Sequence, residues 1–574
     1  MGRGAAIAAI LLLCVAGHAD AGEMAPPRIA RADVDWARAA EAIGAVVASR
    51  SLDAAAAPRI DAAMARLNGA TAVRLPGIAQ SPIPVLLPFD IDAFMRDRSQ
   101  VGLAQNSAPL DPPGDPDATY YAGFGHPDFF AAGPSGFDAA FRFSLASVPG
   151  LADVHFARTA EIEITGSLLV YDLDPPVPDQ GKGVPALEAD FPGIRRSYAE
   201  DYVRYTFVRY GVPYMVSTVC FDSAYSRFRH MACRDADRVI QLFLHKLRIV
   251  GGMPRPVAPF VIPPVRRPAA ASPTFTYYGP GRLIPGTGYR GNAGRADATV
   301  YSNIRFPLAE APAFANTQYF GRRVPGGVRA YPWRDNFCES RSFYVSQCPG
   351  GAGHQGQDIG AGGCSLASLG DDRCTEHRND VLAVRDGAIM RAPGQESVWL
   401  IVNTANEHIR FRYLHMRPKL LDADGVVSGR VVKAGEVIGP IGNYSGHENG
   451  TSYHLHFDVQ VPTRVGWIYV NPYMTLVAAY ERLIGGRGAE LTDDVIASAA
   501  TTVNDASVGG AMITLASVRH AILGAAPVAP VVEATHRAAT RCGWRHHWRG
   551  CAMRQVARAH GLHRHAWHFR RHHI

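Results

Sequence analysis

At 574 residues and 61.8 kDa the chain is several times the usual ~100 to 200 residues of one domain, so two or three packed units are expected. Hydrophobic residues make up 47% and charged residues 19%, which excludes a wholly disordered chain, while 57 Gly and 41 Pro favour loops and strands. The net charge of +7 suggests an anionic partner until it is located: from Thr535 to Ile574 there are nine Arg and no acid, leaving 49 basic against 51 acidic residues elsewhere. The body is near neutral and gives no ground for a nucleic-acid partner.

The first element is a processing signal. Arg3 precedes an apolar run from Ala5 to Ala16, and Ala19-Asp20-Ala21 supplies small residues for cleavage, so residues 1–21 read as a secretory signal peptide. Export to the periplasm, the cell envelope or beyond is expected. No later segment reaches the ~18 to 20 apolar residues of a spanning helix, so no transmembrane span is expected in the mature protein. Setting Cys14 aside leaves eight cysteines in neighbouring pairs: Cys220 with Cys233, Cys338 with Cys348, Cys364 with Cys374, and Cys542 with Cys551. An even count in an exported chain predicts disulfides, and each adjacent pair closes a short loop. Structural zinc is the rival, but its C-x-x-C spacing is absent.

Residues 22–75 read as helical, with Trp36, Ala40, Ile43 and Val47 on one face of a 3.6-residue period. From 76 to 250 the texture is α+β. Glu161-Ile162-Glu163-Ile164 alternates as a strand does, Tyr202 to Cys220 reads as a hairpin broken at Gly211-Val212-Pro213, and Asp235 to Arg248 reads as a helix. This accessory domain carries no recognisable catalytic motif. Seven prolines between Pro254 and Pro273 mark residues 251–300 as a linker. Residues 301–486 are β-patterned and end in a helix through Val477, Tyr480 and Leu483, and 487–574 form a connection and a His/Arg-rich tail.

The chemistry concentrates between Gly353 and Pro472. His354 and Asp358 form an H-x-x-x-D element, and about a hundred residues later His454 and His456 form an H-x-H element whose two rings point to the same face of a strand. Two imidazoles and a carboxylate can hold a divalent ion with one open position, the arrangement of a catalytic zinc rather than a closed structural one. Tyr413-Leu414-His415 adds another imidazole, after a stretch of alternating polarity that begins at His408. His377, His408 and His447 stand isolated or in loops and are left out of the site, and Lys433 is read as a turn residue.

Six ordered pieces, namely Gly353-His354 to Asp358-Ile359, Asp380 to Gly387, Tyr413-Leu414-His415, Val432 to Gly439, Gly442 to Gly446, and His454-Leu455-His456-Phe457-Asp458, together resemble the lysostaphin- or LytM-type zinc endopeptidases of peptidase family M23. The resemblance covers roughly residues 320–476. The chain as a whole reads as α+β multidomain; for the catalytic domain the resemblance implies a mostly antiparallel β fold, with one Zn2+ in a groove held by His354, Asp358 and His456, and with His415 and His454 as catalytic histidines. It also implies hydrolysis of peptide bonds in peptidoglycan stems or cross-links. The alternative is a non-hydrolytic wall-binding regulator on the same fold, such as an amidase activator, against which the complete histidine set argues. One departure is the insertion from Gly360 to Arg378, holding Cys364 and Cys374, where the family has a short loop. Nine of the 22 histidines lie after Thr535, and with the arginines there they offer metal capture or contact with an anionic envelope surface.

Overall fold

The computed structural model describes residues 24–492 except 49–59, 92, 95–119, 155, 157, 175, 177–180, 200–201, 221–230, 257–260, 270–272, 290–293, 317–330 and 363–378. The expected signal peptide, His377, the pairs Cys364–Cys374 and Cys542–Cys551 and the tail lie outside these residues. Among the described residues the chain is mostly antiparallel β, built as two large sheets within one compact unit, Met1–Ala499.

The N-terminal sheet has seven strands in the order Phe129–Gly133, Gly136–Phe143, Ala160–Ser167, Val212–Val219, Tyr202–Arg209, Arg195–Ala199 and Lys182–Gly183. The expected hairpin is there, with Val212 opposite Arg209. Helix Cys233–Lys246 packs Val239, Ile240 and Phe243 under the sheet. Helices Trp36–Ala48 and Ile60–Thr71 join the same core. Residues 22–75 are not wholly helical: Arg28–Arg31 pairs with Leu169–Asp172, because its alternating exposure suits an edge of a two-stranded ribbon.

The second sheet runs Ala313–Ala315, Gln357–Ala361, Leu455–Thr463, His408–Leu414, Val398–Asn403, Gly387–Met390 and Val431–Val432, with Gly466–Val470 also paired to Leu455–Thr463. Helix Tyr473–Ile484 covers its apolar face through Leu476, Val477 and Tyr480. The stretch 251–300, expected as a linker, is only partly one. Pro273–Tyr278 forms a parallel pair with Arg487–Leu491, which lies beyond the expected domain end at 486, and Phe275 and Tyr277 enter the core. Proline at the first position of a strand is tolerated because its missing N–H falls at the ladder's end.

The polar face of the second sheet is where sequence reading fails. Along His408–Leu414, Ile409, Phe411 and Tyr413 enter the core, and simple alternation would leave His408, Arg410 and Arg412 in water. All three are buried. The N-terminal sheet lies over them with acidic side chains from alternate positions of its own strands. Asp138 accepts from His408 Nε2 at 2.8 Å and from Arg410 Nη2 at 2.6 Å, and Glu163 accepts from Arg410 Nη1 at 3.1 Å. Arg204 Nη2 reaches Gln460 Oε1 at 3.3 Å. A small apolar cluster of Phe129, Ala140, Met390, Trp399 and Ile401 closes one flank. His408, set aside as isolated or in a loop, is therefore a strand residue in a buried ion network between the sheets.

Candidate metal centre and active site

His454 precedes and His456 lies within strand Leu455–Thr463, beside strand Gln357–Ala361, with Asp358 opposite His456 in register. His354 is four residues before Asp358, on a loop pinned to the Cys338 segment: Cys338 N donates to His354 O at 2.9 Å and His354 N to Glu339 O at 2.8 Å. The ligand atoms of His354, Asp358 and His456 all lie within 4.8 Å of one another, and all three residues are buried.

The spacing can be tested against an ion. Tetrahedral zinc with bonds near 2.0–2.1 Å separates its ligand atoms by about 3.3 Å. His354 Nε2 and His456 Nδ1 each lie 3.3 Å from Asp358 Oδ1. The outer hydrogen bonds fix the tautomers to match. His354 Nδ1–H must donate to the Asn336 carbonyl, 3.0 Å away, since a carbonyl only accepts, which leaves the Nε2 lone pair facing Asp358. His456 Nε2 lies 3.2 Å from Asp458 Oδ2, leaving Nδ1 for the centre. Asp358 Oδ2 accepts from Asn336 Nδ2 at 2.9 Å, and Asp458 Oδ2 from Arg412 Nε at 2.5 Å. Imidazoles backed by a carbonyl and a carboxylate are the outer shell that zinc sites use to orient their ligands. The donor set fits a divalent zinc ion.

Electrostatics agree. Burial alone would raise the Asp358 carboxyl, but the neighbouring His354 and His454 hold it well below the usual carboxylate range. Burial disfavours the His456 cation, yet hydrogen bonds to Asp358 and Asp458 and their charges push it up to about 9.

The other two histidines stand beside this cluster. His454 Nδ1–H donates to Ser452 O at 2.7 Å, and its Nε2 lies 3.5 Å from Asp358 Oδ1. His415 stacks near it with ring centroids 4.7 Å apart, and is 6.2 Å from the His456 ring. His415 Nδ1–H donates to Tyr444 O at 2.8 Å, leaving Nε2 as the basic nitrogen. Its backbone is left-handed at φ 72°, a strain of order 1–3 kcal/mol that persists only where surroundings impose it. Tyr444 N on His415 O at 3.2 Å supplies part of that, and the chain passes so close that a Cβ on Gly442 would meet His415 O at 2.2 Å. A side chain at Gly442 would dislodge His415.

All five residues named from the sequence are thus brought together. Asn336, Arg412 and Glu396 were missed. Arg412 and Asp458 share a face at register-paired positions, which parity along the two strands could have shown, whereas Asn336 sits in a loop with no periodic signal. Two of the expected disulfides, Cys220–Cys233 and Cys338–Cys348, are formed. The latter closes a 10-residue separation next to His354, worth about 3 kcal/mol in loop entropy. Replacing Cys338 and Cys348 together by alanine is expected to lower stability by up to that amount and to speed loss of zinc to a chelator. Unchanged chelation kinetics would detach the bridge from the centre.

Residues 368–472 match the model of peptidase family M23. The chain carries a peptidase family M23 domain. The match takes in His415, His454 and His456 and begins after His354 and Asp358. A solved structure, named as the glycyl-glycine endopeptidase LytM of Ruminococcus gnavus, is similar at 19% identity over 33% of this chain and 63% of that one, with a TM-score of 0.19. The chain thus spans less than two thirds of that neighbour. No curated protein matches the sequence. No helix among the described residues is long and apolar enough to cross a membrane.

Proposed function

We propose that the chain is an exported zinc metalloendopeptidase that hydrolyses peptide bonds of peptidoglycan stems or cross-links. The observation that carries this is the trio His354, Asp358 and His456 at zinc-ligand spacing with His415 and His454 beside it. Bound there, zinc would bring the pKa of a water from 15.7 to about 7 and polarise the scissile carbonyl. The protein's own groups do the rest. His454, whose Nε2 is the nearer to the ligand cluster, takes the proton of the attacking water. That proton then passes from His454 to the leaving amine, while His415, whose Nδ1–H is held by Tyr444 O and flanked by Glu396 Oε2 at 3.6 Å, donates a hydrogen bond to the oxyanion once its Nε2 has taken a proton from solvent. The buried walls around His454 and His456 exclude competing water.

Metal analysis of the purified chain, with mass spectrometry of fragments released from sacculi, tests the reading. Zinc binding with peptide-bond products supports it; intact stems after zinc loading overturn it. His415→Ala and His454→Ala are each expected to keep zinc while losing at least ~10² in rate, the scale of a missing acid, base or oxyanion donor. Loss of metal in either would mark it as a ligand instead.

A further inference from the structure

Where the two sheets part, beside His415, they leave an open cleft of about 600 Å³. Its walls come from both. Arg142, Arg158 and Glu161 belong to the N-terminal sheet and its approach, and Gln395, Glu396 and His415 belong to the second. Gln395 Nε2 donates to Glu161 Oε2 at 2.9 Å across the base, so the walls are tied together. His415 is the one member of the candidate site that lines this space; His354, Asp358, His454 and His456 do not. The cleft therefore leads to the metal centre from the side of the proton-handling imidazole.

Its charge has a direction. Glu396 is occupied by Gly446 N at 3.1 Å and by His415. Burial and the nearby Glu163 push the Glu161 carboxyl up to about 8, against the pull of Arg142. Arg142 stands opposite Glu161 in the strand register. Arg158 is exposed and has no ion-pair partner among the described residues. Guanidinium groups keep their charge at any physiological pH and match a carboxylate with two parallel donors.

We propose that the N-terminal sheet forms one wall of the substrate subsite, where Arg142 and Arg158 bind a free carboxylate of the peptide whose scissile bond lies at His415. This rests on the peptidase reading and adds to it that selectivity resides outside the M23 domain. Such a carboxylate belongs either to the peptide's C-terminus or to a side chain, and separate amidation of each distinguishes them.

The test uses the full chain and a soluble stem peptide released from sacculi, in three forms: carboxylates free, C-terminus amidated, and side-chain carboxylates amidated. Calorimetric binding to the metal-free protein is measured first, so that turnover plays no part. Wild type is expected to bind the free form about tenfold more tightly than one of the amidated forms, the loss typical of a charge-assisted pair. Arg158→Ala, at an exposed position, and the double variant R142A/R158A should lose that preference, with KM on zinc-loaded protein rising by a similar factor. Arg430→Ala, at a half-buried turn that does not line the cleft, should bind as wild type does. Equal affinity of wild type for all three forms, or an unchanged preference in Arg158→Ala, would overturn the subsite. Hydrolysis without carboxylate preference would sink this inference and spare the proposed function; arginine-dependent binding without hydrolysis after zinc loading would do the reverse.

Discussion

His456→Ala is expected to lose zinc and hydrolysis together. The substitution leaves two protein ligands, His354 and Asp358, with His454 as the other imidazole beside the Asp358 carboxylate. Structural and catalytic zinc is held by three or four protein ligands, and its binding energy depends on them jointly. Zinc should fall from near one per chain to a small fraction, and activity on sacculi should fall with it. Asp458→Asn offers a graded comparison. It keeps the ligand but weakens the acceptor behind His456 Nε2, for which a 10- to 100-fold loss in metal affinity is expected. Near-stoichiometric zinc in His456→Ala, measured by elemental analysis after dialysis, would remove this residue from the proposed ligand set.

The second large effect lies away from the chemistry. Arg410→Ala removes the cation between Asp138 and Glu163, all three side chains being buried at the sheet interface. Breaking a buried pair by deleting one partner costs about 3–5 kcal/mol, since the remaining charge has lost its solvation. Burial alone would raise the Asp138 carboxyl, but His408 and Arg410 hold it far below the usual carboxylate range. A carboxyl depressed in the folded state contributes stability that is present above its unfolded value, about 3.9, and is lost as pH falls through the folded one. Wild type should therefore keep this contribution down to strongly acidic pH. In Arg410→Ala, with one of the two cationic partners gone, the carboxyl rises and the acid loss should begin at higher pH. Arg430→Ala is the control, because its pair with Glu436 is partly exposed and such pairs are worth ~1 kcal/mol or less. Thermal unfolding followed by two probes over a pH series decides it. A melting temperature for Arg410→Ala equal to that of the control would show that the interface does not depend on this charge.

Because His408, Arg410 and Arg412 lie on one face with His456, Asp458 and Gln460, the same polar surface serves two purposes. Its Arg410 end is sealed by the N-terminal sheet, and its His456 end carries the candidate centre. Arg412 joins them, bonded to Asp458 behind His456 and to Gln355 Oε1 at 2.9 Å beside His354. Changes at the interface can thus reach the ligands without touching them.

The ingredients were legible in the local pattern of the chain. Alternation marked the strands around Glu161, His408 and His456, the 3.6-residue period marked the helices at Trp36 and Val477, and the order of His354, Asp358, His415, His454 and His456 picked out the five residues of the candidate site, because strand parity and short motifs are local properties of the chain. Local pattern also predicted the Cys220–Cys233 and Cys338–Cys348 bridges, since short loops pair most readily. What covers each face is set by packing between distant segments. A run such as His408-Ile409-Arg410-Phe411-Arg412 reads identically whether its polar side meets water or an acidic sheet 250 residues earlier, and nothing near it in sequence announces Asp138 or Glu163. The same holds for Asn336 behind His354. Each of these contacts joins separate segments, and such contacts are fixed by which surfaces exclude water from one another rather than by the period of either segment.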